Sequence, residues 1–156
     1  MELYFILKII HVISACILFG TGMGTACYML LANQTGNLKI ISIASGHVVK
    51  ADWLFTTTSG IVQALTGFAM AYLHGFSVLA PWLLAAIIGY VIAGACWLPV
   101  VYFQIQLHKI ASDCLASGSK LPRKYYSLYK SWFILGWPAF ISLIFVYYFM
   151  VAKPAF

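Results

Sequence analysis

The chain of 156 residues carries nine Lys and Arg against three Asp and Glu, with 63% hydrophobic, 17% aromatic and 8% charged residues and a mean hydropathy of +0.96. A soluble domain has roughly 45–50% apolar and 25% charged residues, so this composition excludes a water-soluble globule and predicts an integral membrane protein. With only Glu2, Asp52 and Asp113 as acids, there are no paired carboxylates, and no HExxH, Ser/His/Asp or phosphate-loop pattern appears. Hydrolysis and phosphoryl transfer are therefore set aside. Whether the protein is an enzyme of another kind stays open.

A helix that crosses the hydrocarbon core needs about 20 apolar residues, and four stretches reach that length, at about 4–31, 53–75, 81–106 and 131–152. Backbone polar groups in lipid must be paired within their own segment, and the period-2 alternation of barrel strands is missing. The expected fold is all-α, a four-helix transmembrane bundle forming one domain over residues 1–156. The first stretch runs on well past Cys16, further than the core of a cleaved signal, and reads as a span.

That first stretch, LKIIHVISACILFGTGMG, holds Lys8 and His11. At 1.5 Å rise per residue His11 lies about 10 Å below the end of the helix that begins near Tyr4. Lys8 shares its face and is long enough to reach water, whereas the imidazole is too short to do so. An ionisable group at that depth is a functional candidate, the alternative being a neutral imidazole bonded to a neighbouring helix. Gly20 and Gly24 form a GxxxG pair suited to close approach of another helix. Gly22, three turns beyond His11, continues its face as a small-residue groove.

The first connection, KIISIASGHVVKADW, reads as a short amphipathic interfacial helix leading into the second span, with His47 and Asp52 at a solvent-reached boundary. Along the second span Gly60, Gln63, Gly67, Met70 and His74 fall near one stripe. The second connection, HGFSVLAP, has no Lys or Arg. In the third span Tyr90, Gly94, Trp97, Val101 and Gln104 make a similar stripe, which Pro99 should kink. Met70, Tyr90 and Tyr147 or Tyr148 are expected at the depth of His11. The third connection stops at Gly118 and restarts near Pro122; its basic residues, with Tyr125, Tyr126, Tyr129 and Trp132, read as an interfacial anchor, and His108 lies at that same surface.

Lys39, Lys50, Lys109, Lys120, Arg123, Lys124 and Lys130 all fall in the first and third connections. The positive-inside rule makes that side cytoplasmic and both termini outward, or periplasmic, in a bacterial inner membrane. The net charge of +6 then reflects topology and anionic headgroups, and the bilayer, not nucleic acid, is the partner. Cys16, Cys27, Cys96 and Cys114 show no CxxC spacing and read as packed thiols.

A bundle with one deep histidine, aromatics and glycines is a common setting for haem b. On that reading His11 is the metal ligand, Gly22 makes the groove, Lys8 meets a propionate, and Gln63, Met70 and Tyr90 complete the cofactor site, with a redox or porphyrin-handling role. The alternatives are a structural or assembly subunit that contacts a membrane partner or another copy of itself, and copper or small-solute handling through Cys16, Cys27, Met23 and Met29.

The four segments LKIIHVISACILFGTGMGTACYM, ADWLFTTTSGIVQALTG, AGACWLPVVYFQIQ and SWFILGWPAF resemble a bacterial family of predicted membrane proteins known as domain of unknown function 2269. More distantly, the first-helix histidine and the four-span layout are similar to HemJ-type protoporphyrinogen oxidases and the CopD copper-resistance module. The HemJ resemblance implies haem bound through His11. It also implies a lysine in the third helix, and this sequence has none within that span.

Overall fold

A computed structural model describes residues 2–154, and every regular element among them is helical. Helix α1 runs Glu2–Gln34, α2 Leu38–Ala51, α3 Thr58–Leu73, α4 Pro81–Ser117 and α5 Arg123–Ala152, with a π-helical segment Asp52–Thr57 joining α2 to α3. Three of these, α1, α4 and α5, are long and apolar enough to cross a membrane. Large apolar side chains such as Phe5, Leu65, Val91 and Phe145 are exposed around the outside, as expected where lipid is the solvent.

The turns between helices follow local chemistry. Asn37 starts α2, its side chain accepting from the amides of Lys39 and Ile40, so that two donors without an intrahelical partner are satisfied. Gly118 ends α4 at φ 68°, a left-handed position that a glycine takes without cost. Pro122 then precedes α5, matching the stop and restart expected there.

The short helix expected before the second span is present but does not lie apart on a surface. Ala51 and Asp52 keep right-handed helical backbone through the junction, as do Thr57 and Thr58, so 38–73 is one continuous rod with a wide turn in it. Its inner face, with Ile41, Ala44, Ser45 and Val48 buried, packs against α1 and α4. Amphipathic periodicity cannot distinguish a headgroup partner from a neighbouring helix.

Two helix pairs, α1 with α3 and α4 with α5, carry the packing, and α2 joins them through α4. At the α2 end a filled core of Met29, Ile41, Val48, Leu107, Tyr125 and Trp132 closes the bundle. Tyr125 and Trp132 are thus interior side chains, not the interfacial anchors expected. The Tyr125 hydroxyl donates to Asn33 Oδ1 at 2.8 Å, which places it there by a bond that spacing alone does not reveal. Tyr126 stays exposed. His108 sits half-buried between helices, its Nδ1 3.1 Å from Ser45 Oγ, and a Cβ on Gly46 would come within 2.8 Å of its ring.

Candidate functional site

Toward the other end of the bundle His11 is held in a closed polar network. Its Nδ1 lies 2.9 Å from Thr66 Oγ1 and its Nε2 3.0 Å from Gln63 Nε2. The Ser14 hydroxyl donates to Gln63 Oε1 at 2.6 Å, so the amide nitrogen of Gln63 is the group that faces the ring and donates to Nε2. Nδ1 then carries the proton and donates to Thr66, which donates to the Val62 carbonyl at 2.6 Å. Every donor in the sequence Ser14, Gln63, His11, Thr66 finds an acceptor, as groups removed from water require. The ring also covers Gly67, where an added Cβ would meet Cε1 at 3.2 Å.

The residues read from sequence as one cofactor site therefore divide. His11 and Gln63 bond each other; Lys8 is exposed and Met70 half-buried, neither in this network. Tyr90 turns away to donate to the Gly60 carbonyl at 2.6 Å, and Tyr147 donates to the Ala15 carbonyl at 2.6 Å, while Tyr148 is exposed. Gly22 lies at a separate cavity, described below. As arranged, these side chains do not fit a haem. The Nε2 lone pair an iron would need accepts from Gln63, and Gly67, not a groove, adjoins the ring.

A second region has the opposite character. Between the two helix pairs lies a cavity of about 630 Å³, within the roughly 300–1,000 Å³ of small-molecule sites. Each rod contributes one glycine to its wall: Gly22, Gly60, Gly94 and Gly136. A Cβ on Gly22, Gly94 or Gly136 would meet nothing within 4 Å, so these glycines keep the space open. The same holds for Gly20 and Gly24: among the described residues no helix approaches the GxxxG pair closely. Met23, Leu98 and Trp137 line the cavity and are also exposed, so it opens sideways onto the apolar surface.

The wall is apolar except at the end nearer the filled core. There Asp52, 3% exposed, accepts from the Thr56 hydroxyl at 3.0 Å, and Gln104 and Trp132, each 4% exposed, stand with Trp97 on the lining. The π-helical turn carries both Asp52 and Thr56; the Thr57 hydroxyl caps the Asp52 carbonyl at 3.0 Å, holding the widened turn that such insertions show at functional positions. Among the described residues, the buried side-chain polar atoms with no hydrogen-bond partner are Trp97 Nε1, Gln104 Oε1 and Trp132 Nε1. All three belong to side chains that line this one cavity.

Asp52 was expected at a solvent-reached boundary, and its burial is the largest departure from the sequence reading. The signal that could have found it is the run of hydroxyls in DWLFTTTS, which places Thr56 one turn from the carboxylate. His47, at the same expected boundary, is exposed. Of the thiols read as packed, Cys114 is buried and Cys96 half-buried, but Cys16 and Cys27 are exposed. Among the described residues no group of three or more His, Cys, Asp or Glu stands close enough to hold a metal ion.

Residues 5–154 match a family model described as predicted integral membrane protein (DUF2269). The chain belongs to that family. No curated protein matches it and no solved structure does, so the distant likeness to HemJ-type and CopD modules is not shown. The family description agrees with the three long apolar helices and leaves the chemistry to be argued from the two polar regions.

Proposed function

We propose that this member of the family is an intramembrane binding protein, whose cavity takes up a lipid-soluble amphiphile from the bilayer. The observation that carries the reading is the coincidence of the three unpartnered buried polar atoms, Trp97 Nε1, Gln104 Oε1 and Trp132 Nε1, on the lining of one apolar space. Leaving a buried donor or acceptor unmade costs about 1–3 kcal/mol. A ligand whose polar end both accepts from the indoles and donates to the amide removes that cost, and its apolar body fills the glycine-walled remainder. Entry is lateral, past Met23, Leu98 and Trp137.

In this reading the rod 38–73 supplies the fourth crossing, and the seven basic residues of the first and third connections face the cytoplasm of a bacterium, both termini lying outside the inner membrane. The polar end of the cavity is then on the cytoplasmic side and the His11 network on the outer side. Native mass spectrometry of protein extracted mildly from its own membranes tests the proposal. A single small-molecule adduct on the wild type that is missing from Gly94→Leu is the expected result; a wild type that emerges bare and takes up no apolar probe overturns it.

The haem b reading requires His11 to release Gln63 and turn from Gly67. An absorption spectrum of the same preparation decides it: a Soret band abolished by His11→Ala would support haem, and colourless protein from haem-replete cells would remove it.

A further inference from the structure

Asp52 is the feature of the cavity that an uncharged ligand leaves unexplained. The residue is 3% exposed, and the nine Lys and Arg residues of the protein are all exposed. The side chains that turn toward it are neutral on each neighbouring element: Thr56 on its own rod, Thr25 on α1 and Gln104 on α4. Trp132 of α5 lines the same space. A buried carboxylate is ordinarily paired, because removing it from water without a counter-charge is costly. Here no pairing charge stands among the described residues, and the carboxylate borders a space large enough for a ligand.

The surroundings fit a cation on a second count. Trp97, Trp132, Trp137, Phe133, Phe140 and Tyr90 all line the cavity, and aromatic walls attract a positive centre through the ring quadrupole, most strongly when water is excluded. Gln104 Oε1, buried and unpartnered, adds a second acceptor beside the acid. No basic side chain lines the space, and the one ionisable acid on its wall is Asp52, although the protein as a whole carries a formal charge of +6.

Resting on the cavity reading above, we infer that the ligand is a lipophilic monocation, with Asp52 as its counter-ion and the aromatic walls around its apolar groups. The bilayer delivers such a molecule to the lateral opening, and the single buried acid selects its charge.

Equilibrium dialysis of the detergent-solubilised protein against tetraphenylphosphonium, its anionic counterpart tetraphenylborate and neutral triphenylphosphine oxide separates the two levels of the argument. The wild type should prefer the phosphonium over the borate by about thirtyfold or more, the low end for losing one partner of a buried charge pair. Asp52→Asn should erase that preference while still taking up the neutral probe, and Asp52→Glu should restore part of it. Equal binding of both ions, or an Asp52→Asn protein that keeps the preference, overturns the inference and leaves the cavity reading standing. Failure of the neutral probe and the phosphonium alike removes both. Should Asp52→Asn not fold, the wild-type comparison of the two ions decides alone.

Discussion

His11 and Gln104 are both polar side chains among apolar helices, yet they are solved in opposite ways. Around His11 the partners come from two helices and every donor reaches an acceptor, with Gly67 flat against the ring. Around Gln104 its amide oxygen and two indole N–H groups are left without partners, and Gly22, Gly94 and Gly136 stand clear of any neighbour. The difference teaches that depth in the membrane does not mark a site; incompleteness does. A satisfied histidine holds two helices together, and an unsatisfied amide oxygen beside an acid and two indoles has no partner among the described residues.

The same contrast runs through the glycines and gives the sharpest ways to break it. Gly89 is a closing glycine: an added Cβ would lie 2.9 Å from Val146 Cγ2 and 3.5 Å from the Ser142 carbonyl oxygen. Gly89→Leu should therefore force α4 from α5 and cost more than about 3 kcal/mol, above the usual penalty for overpacking, with aggregated protein on gel filtration as the readout. His11→Ala comes next. It strands the Gln63 amide nitrogen, while Thr66 keeps its bond to the Val62 carbonyl, and should lower stability by about 1–3 kcal/mol in a thermal melt, with His11→Gln recovering part of the loss. The smallest effect belongs to Tyr147→Phe, which removes one bond between the helix pairs, to the Ala15 carbonyl. A single interhelical hydrogen bond in a membrane averages about 0.6 kcal/mol, so its melting temperature should move only slightly.

How much of this was legible in the sequence follows from what each signal encodes. Apolar length encodes helices, and the turn at Gly118 and Pro122 encodes their ends, so the all-helical plan and the start of the helix at Pro81 could be read directly. The stripes also named Gly22, Gln63, Tyr90, Gly94, Trp97 and Gln104 before any were placed. Spacing along one helix does not encode which neighbour a stripe meets, however. His11 and Gly22 share a face of α1, yet one meets α3 and the other borders open space. The π-helical turn left no mark in periodicity, and with it the inward face of Asp52 went unread. Trp132 and Tyr125 resembled an aromatic belt because an aromatic near a basic loop has the same composition whether it faces headgroups or a core.

The central claim is that the space bounded by Gly22, Gly94 and Gly136 exists to be occupied. Gly94→Leu and Gly136→Leu test it most directly when thermal stability and uptake of triphenylphosphine oxide are measured on the same preparations. Both variants should melt within about 0.5 kcal/mol of the wild type, as substitutions without a clash do, and both should lose the probe. Variants that collapse, or that fold and bind as before, would contradict it.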